Sequence, residues 1–118
     1  FQLKEQFVVH RPIEHVFTYL ADFSQIADWD PSVVSAKKVS TGRIAKGCKF
    51  DLVLKSAGRQ LPMAYELIDY QPYRSLTFLG KAEGFTATDH IILQQEGVFT
   101  HILDSKFLSF FVIWALEY

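Results

Sequence analysis

Asp89 is the residue whose type and position in this sequence point most directly to chemistry. Apolar side chains recur at every second position through Phe85, Ala87 and Ile91, and Asp89 falls in the same row. A carboxylate on an apolar face is costly to desolvate unless it is paired or protonated, so such a group is suited to act as a general acid or base or to bind a ligand hydroxyl. A β-bulge, an edge position or a salt bridge to an arginine would instead give Asp89 a structural role, and both interpretations stay open.

Tyr65 is a second polar residue in an apolar row, between Met63 and Leu67. One polar group in an apolar pocket fixes the orientation of a ligand, although a core tyrosine with a backbone partner has the same pattern. The predicted ligand-contacting residues are the inward-facing members of four strands. They are Phe50, Leu52, Leu54, Met63, Tyr65, Leu67, Leu76, Phe78, Asp89 and Ile91. Core packing alone would also account for these apolar rows, so a filled core and a lined cavity are both open.

The four histidines are weaker candidates for chemistry. His90 is the second catalytic candidate after Asp89, and it is open whether His90 meets His101 across the sheet. His10 and His15 lack the i, i+4 spacing of a helical metal pair, and half-buried structural histidines are common. The HExxH, GxSxG, CxxC and GxGxxG motifs are missing, so we expect no metal ion and no cofactor.

The elements that must position these residues follow from the change in hydrophobic period along the chain. Residues 2–10 read as a strand, and Pro12 suits the first position of a helix whose apolar face is Ile13, Val16, Phe17 and Leu20. A short second helix is expected from about Ser24 to Trp29. After Pro31 the period is 2, with turn signals between about six further strands, which predicts an antiparallel α+β domain. Residues 107–118 are strongly apolar but shorter than the roughly 20 needed to span a membrane, so we expect a buried helix there.

The composition limits the class of protein. The chain has 118 residues, of which 49% are hydrophobic and 21% charged, which predicts one globular domain over residues 1–118. The chain begins at Phe1, and truncation at one or both ends stays open. A net charge of −1 argues against a nucleic-acid partner. The single cysteine excludes an internal disulfide and fits a cytoplasmic location.

The local pattern HRPIEHVFTYLADF…DWDPSV, followed by GRIAKGCKF and YELIDYQPYRSLTF, resembles the START-related (SRPBCC) superfamily of polyketide cyclases and lipid-transfer proteins. The resemblance spans about residues 2–103. The matching positions are Pro12, Glu14, Val16, Phe17, Trp29, Asp30, Pro31, Gly47, Phe50, Tyr65, Tyr70, Pro72, Arg74, Leu76 and Phe78. It implies a helix-grip fold, in which a curved seven-stranded antiparallel sheet grips a C-terminal helix over a ligand cavity. Two features depart from the family pattern, namely Gly97-Val98 in place of Gly-Thr and the short apolar segment 107–118.

Three function classes remain after these observations. The first is binding or transport of a hydrophobic small molecule, a lipid or an aromatic polyketide, between the sheet and the C-terminal helix. The second is a cyclase or dehydrase that uses Asp89 or a histidine to move a proton. The third is a ligand-free interaction module, with a homodimer formed through the exposed parts of residues 107–118.

Residues 37–59 carry seven basic side chains and one acidic one, Asp51. The basic residues are Lys37, Lys38, Arg43, Lys46, Lys49, Lys55 and Arg59. A solvated hairpin with charges on its outer face is one interpretation, and docking to an anionic membrane surface or to RNA is the other.

Overall fold

The described part of the chain forms a single antiparallel sheet with two helical segments inserted after its first strand. A computed structural model of the chain describes residues 5–28 and 30–104. Its elements are β1 (Glu5–Val9), α1 (Ile13–Ala21), a 3₁₀ helix (Phe23–Asp28), β2 (Val33–Lys38), β3 (Lys49–Ser56), β4 (Arg59–Gln71), β5 (Ser75–Ala82), β6 (Phe85–Glu96) and β7 (Phe99–Asp104). The predicted seven-stranded antiparallel sheet is therefore confirmed. The predicted positions of Trp29 and of the helix over residues 107–118 lie outside the described residues.

The strands lie in the order β1-β7-β6-β5-β4-β3-β2, and every neighbouring pair is antiparallel. From β2 to β7 each strand pairs with the next one in the chain, which is the meander expected from the short turns. Strand β1 instead pairs with β7, so the first and last described strands lie side by side. The register shifts once in β2 and once in β4, between Leu67 and Asp69. Such bulges bend and twist the strands that contain them, and the sheet is curved.

Helix α1 begins one residue later than the sequence indicates. Pro12 has an extended ψ of 148°, so it is the N-cap and not the first helical residue. Its carbonyl accepts hydrogen bonds from the backbone N–H groups of His15 and Val16, both at 3.1 Å. The predicted apolar face is confirmed, because Val16, Phe17 and Leu20 are buried and Ile13 packs against the core.

The second helix is a single 3₁₀ segment and begins at Phe23. Its start is defined by Asp22, whose Oδ1 accepts hydrogen bonds from the backbone N–H of Ser24 at 3.1 Å and from the Ser24 hydroxyl at 2.5 Å. An aspartate that bonds to the backbone two residues ahead competes with a regular α-helix, so the chain turns here. The turn directs Phe23 and Ile26 into the core.

The core lies on one face of the sheet, which we call the inner face because both helices pack on it. Helix α1 contacts β6 and β7, and the 3₁₀ helix contacts β2. Most inner-face side chains of β3 to β7 are buried, except near the strand ends, whereas those that alternate with them point to the opposite, outer face. No helix among the described residues is both long enough and apolar enough to cross a membrane.

Candidate functional site

All ten residues predicted to contact a ligand have inner-face positions on β3 to β6. Nine of them are buried, and Leu54, near the end of β3, is partly buried and packs against the core. The alternation of side chains along the strands therefore predicted their inward direction correctly, while their contact with a ligand stays a prediction. Phe85, which begins the same row as Asp89, is 48% exposed because it lies at the end of β6.

Asp89 lies on the inner face at the middle of the sheet. Its neighbours along β6 on the same face are Ala87 and Ile91, and Phe78 lies opposite it on β5. Only 1% of the residue is exposed to solvent. Neither a bulge nor an edge position returns the carboxylate to water, so the structure removes these two alternatives. A buried carboxylate is expensive to keep in a core, and such groups are more frequent at functional sites than elsewhere.

Tyr65 lies two strands away from Asp89 and is also 1% exposed. Its phenol donates a hydrogen bond to the sulfur of Met63 at 3.8 Å. Burial raises the pKa of the Tyr65 phenol well above its ordinary value of 10.0, and the negative charges of Asp89 and Asp30 raise this pKa further. The phenol therefore keeps its proton at neutral pH and can donate a hydrogen bond, and it lies within electrostatic reach of both carboxylates.

The absence of a side chain at Gly80 allows the Tyr65 ring to extend across β5 toward β6. The two residues are opposite each other in the ladder between β4 and β5, and Ala87 follows on β6 in the same row. A Cβ atom at Gly80 would lie 2.5 Å from two carbons of the Tyr65 ring. The ring thus occupies the space that a side chain would otherwise take.

An aromatic cluster covers the centre of the inner face. The ring of Phe23 stacks on Phe78 with centroids 4.0 Å apart and an angle of 14° between the planes. It meets the rings of Tyr65 and Phe50 edge to face, at 5.1 Å and 6.1 Å. Three of the predicted ligand-contacting residues therefore pack against a residue that the sequence analysis did not single out. The signal for Phe23 was present, since it follows Leu20 by three positions and continues the apolar face of α1.

Asp30 is the second buried carboxylate, at 8% exposed. Its Oδ1 accepts hydrogen bonds from the backbone N–H of Ser32 at 2.9 Å and from the Ser32 hydroxyl at 2.7 Å. Asp30 thus shapes the turn between the 3₁₀ helix and β2. It also contributes negative charge near Tyr65.

The histidines lie away from this face. His90 follows Asp89 on β6 and points to the outer face, where its Nδ1 is 2.7 Å from the hydroxyl oxygen of Thr77. Successive residues of a strand point in opposite directions, so His90 and Asp89 do not share a site. His101 lies opposite Gln94 and not opposite His90, so these two histidines do not meet across the sheet. The Nε2 of His101 is 3.0 Å from a carboxylate oxygen of Glu96.

The remaining histidines lie near the start of α1. His10 and His15 are exposed, and the His10 ring lies 4.6 Å from that of Phe99. Within residues 5–28 and 30–104, no group of three or more His, Cys, Asp or Glu side chains is arranged to hold a metal ion.

The basic residues of segment 37–59 do not form one surface. Arg43 and Lys46 lie in the loop before β3, whereas Lys55 and Arg59 lie at the other end of that strand, next to its turn with β4. On the outer face between these ends, acids alternate with bases. Lys37 is opposite Asp51, and Lys49 is opposite Glu66. This arrangement favours a solvated outer face over a single docking patch.

An open cleft of about 680 Å³ lies where β4 extends beyond β5, and residues of both faces of the sheet line it. Its apolar lining includes Leu52 and Met63, two of the predicted ligand-contacting residues, together with Leu61 and Ala82. Charged side chains also line this cleft, namely Asp51, Lys81 and Glu83. The cleft brings solvent close to one end of the otherwise buried rows.

Comparison with known proteins agrees with this architecture. Residues 1–97 match the family model described as polyketide cyclase / dehydrase and lipid transport. The chain therefore belongs to this family of the START-related (SRPBCC) superfamily, as the sequence pattern predicted. Curated proteins gave no significant match to the sequence.

Solved structures give the same fold at low sequence identity. A START superfamily protein from Mycobacterium smegmatis has a TM-score of 0.74 at 10% identity, and the aligned region covers 98% of this chain and 85% of that protein's chain. The Zhui aromatase/cyclase from Streptomyces sp. R1128 has a TM-score of 0.72 at 18% identity, and the aligned region covers 92% of this chain and 69% of the cyclase chain. Ara h 8.0201 has a TM-score of 0.67 at 13% identity, and the aligned region covers 89% of this chain and 74% of the Ara h 8.0201 chain.

Proposed function

We propose that this protein binds a hydrophobic small molecule, a lipid or an aromatic polyketide, against the inner face of its sheet. The observation that carries the proposal is the presence of Asp89, a carboxylate, in the middle of a buried apolar row. A core that only had to be filled gains nothing from a buried carboxylate, whereas a ligand site needs a few polar groups in apolar surroundings to set orientation. Membership in a family named for polyketide cyclases and lipid transport supports the same class of ligand.

The aromatic cluster narrows the region of the face where a ligand would lie. Phe23 packs on Phe50, Tyr65 and Phe78, so this part of the face is already in contact with the 3₁₀ helix. The side chains of Leu52, Met63 and Ala87 lie beside the cluster, and the open cleft adjoins the first two of these. A ligand at this place would contact these apolar groups and direct its polar group toward Tyr65 and Asp89. Burial of its apolar surface would drive binding at about 25 cal/mol per Å².

A neutral, environment-sensitive dye tests this proposal. Nile red is titrated into the full chain, and a lipid or an aromatic polyketide is then added to displace it. We expect saturable fluorescence and competitive displacement. Replacing Ala87 with Leu fills part of the proposed space and should weaken dye binding several-fold, while Thr88→Leu, on the outer face of β6 and outside the lining of the cleft, serves as the matched control. Absence of saturable binding, or equal effects of the two variants, would contradict the proposal.

A cyclase or dehydrase activity is the second candidate, and the proximity of two proton-carrying groups favours it. The charge of Asp89 acts on the Tyr65 phenol, so a carboxylate that could serve as a base and a phenol that can donate a hydrogen bond lie on one buried face. In such a site the carboxylate would remove a proton from an activated methylene, the phenol would donate a hydrogen bond to the carbonyl oxygen, and the apolar walls would exclude water. The expected result is a pH–rate profile whose acid limb disappears in Asp89→Asn. Unchanged turnover of a poly-β-ketone in that variant would reject the enzyme hypothesis and leave ligand binding intact.

A further inference from the structure

One end of the sheet combines positive charge with exposed apolar side chains. In an antiparallel meander alternate connections lie at the same end, so residues 39–47, 72–74 and 97–98 share one end. We call these three connections the loop rim. They contain no acidic residue and three exposed basic ones, which are Arg43, Lys46 and Arg74. In a chain with a net charge of −1, the loop rim is therefore a local concentration of positive charge.

The connections at the opposite end of the sheet carry the opposite charge. Residues 30–32, 57–58 and 83–84 lie there, and their charged members are Asp30 and Glu83. Lys55 and Arg59 flank the second of these connections from the adjoining strands. Both ends thus have a lysine and an arginine near a turn, which makes a matched comparison of the two ends possible.

Two acidic residues lie beside the loop rim. Glu14 is exposed in the first turn of α1, and Glu96 directly precedes residues 97–98. The carboxylate of Glu96 is 3.0 Å from the Nε2 of His101. The positive charge of the loop rim is therefore centred on its other two connections, residues 39–47 and 72–74.

Each connection of the loop rim also presents one large apolar side chain to solvent. Val39, Tyr73 and Val98 are 46%, 48% and 75% exposed, and Val98 is the most exposed large hydrophobic residue of the described chain. Turns usually carry glycine or short polar residues, and an apolar side chain in water gains nothing there. The Tyr73 ring meets that of Phe17 edge to face at 5.5 Å, so α1 holds this ring at the loop rim.

The longest of the three connections is held in place by hydrogen bonds at both of its ends. The Lys38 ammonium donates to the backbone carbonyls of Ser40 and Gly42, and the N–H of Gly47 donates to the carbonyl of Leu67 on β4 at 2.7 Å. Neighbouring strands are about 4.8 Å apart, so successive connections lie about 10 Å apart along the sheet end. Apolar and basic groups thus alternate along one edge of the molecule.

We propose that the loop rim docks on an anionic lipid bilayer. Its three apolar side chains enter the interface, and its three basic ones contact lipid phosphates, which is the combination that binds proteins to membrane surfaces. A polynucleotide would also attract the basic residues but would leave the valines in water, so the apolar residues favour the bilayer. The docking requires no ligand at the inner face, so it stands or falls separately from the proposed function.

Sedimentation of the full chain with lipid vesicles tests the docking. One set of vesicles is phosphatidylcholine alone, and the other also contains phosphatidylglycerol, which is anionic. We expect at least about tenfold tighter binding to the anionic vesicles, and weaker binding to them as salt is added. Equal binding to both sets, or binding to neither, would overturn the proposal. This comparison uses the wild-type chain and decides the matter even where a variant does not fold.

Two double variants, each removing one lysine and one arginine, locate the contact. Arg43→Gln with Lys46→Gln should lower the affinity for anionic vesicles at least about tenfold, since each basic residue at a membrane surface contributes about fivefold. Lys55→Gln with Arg59→Gln, at the opposite end of the sheet, is the matched control and should lower it by less than about threefold. Equal losses in the two variants would show that the loop rim is not the docking surface.

Val98→Ser tests the apolar part of the contact. It should weaken vesicle binding about threefold or more at every salt concentration, because burial of apolar surface is not screened. Val34→Ser is the matched control, since Val34 is 41% exposed near the opposite end of the sheet, and it should bind as the wild type does. Unchanged binding of Val98→Ser, or tighter binding of the wild type to a single-stranded RNA oligonucleotide than to the vesicles, would reject the bilayer as the partner.

Discussion

The ring of Tyr65 lies across the backbone of Gly80 on the neighbouring strand, where the missing side chain makes room for it. Close contact between an aromatic ring and a cross-strand glycine stabilises a sheet at a position where glycine alone is unfavourable. The two residues therefore depend on each other. This contact also directs the phenol toward β6 and the proposed polar site.

Gly80→Ala should destabilise the fold by about 1–3 kcal/mol, because the added Cβ would overlap two carbons of the Tyr65 ring. The backbone of Gly80 has no positive φ, so strain in the main chain contributes nothing to this loss. Urea unfolding of the wild type and the variant measures it. In a Tyr65→Leu background the same substitution should cost markedly less, since the ring is gone. Equal costs in the two backgrounds would show that the ring contact is not responsible.

Phe23→Ala should destabilise the fold by about 3–5 kcal/mol, because it removes the ring that stacks on Phe78 and contacts Phe50 and Tyr65. Phe85→Ala is the matched control, since Phe85 is 48% exposed at the end of β6. Its effect should stay within about 0.5 kcal/mol. Denaturant midpoints of the two variants compare them directly. Similar midpoints would mean that the 3₁₀ helix contributes little to the core.

Local patterns predicted most of the sheet, because turns and alternation depend on near neighbours in sequence. The Ala57-Gly58 signal is a two-residue hairpin turn in which both residues have positive φ, at 51° and 78°. Alternation also gave the inward direction of Asp89. In each case the information lies within a few residues of the feature itself.

The features that escaped prediction depend on contacts between distant parts of the chain. Tyr70 faces the core, opposite Leu76, because a bulge between Leu67 and Asp69 shifts the register by one residue. No local pattern marks that shift. The role of Phe23 likewise depends on three rings that come from β3, β4 and β5. The cap of α1 comes from the far end of β6, 82 residues away from the helix start.

That cap is the side chain of Gln95, and it leads to a third prediction. Its Oε1 accepts a hydrogen bond from the backbone N–H of Ile13 at 2.8 Å, while its Nε2 donates to the carbonyls of Gly97 and Phe99, both at 2.8 Å. Pro12, the N-cap residue, has no side chain able to accept that bond. Gln95 therefore replaces a local cap and also joins the helix to the turn between β6 and β7.

Gln95→Ala should lower the free energy of unfolding by about 1–2 kcal/mol, since one helix N–H and two turn carbonyls lose a partner. Gln94→Ala is the matched control, because Gln94 is exposed on the outer face of the same strand. Its effect should stay within about 0.5 kcal/mol. Thermal or denaturant unfolding checks both variants. If Gln94→Ala proved as costly as Gln95→Ala, the loss would belong to the strand and not to the cap.

The raised pKa of Tyr65 predicts a loss of stability in alkaline solution. In the unfolded chain this phenol loses its proton near the ordinary pKa of 10.0, whereas burial and the charges of Asp89 and Asp30 hold the proton in the folded chain. Above that pH the unfolded state binds fewer protons than the folded state, so stability falls as pH rises. A single group of this kind contributes a slope of up to about 1.4 kcal/mol per pH unit.

Urea unfolding at neutral pH and above 10.0 should show the decline, and Tyr65→Phe should reduce it because the phenylalanine has no proton to lose. Tyr73→Phe, at an exposed turn, is the control and should leave the decline unchanged. An identical alkaline slope in Tyr65→Phe and the wild type would mean that the phenol is already ionised in the folded chain or that other groups govern the transition.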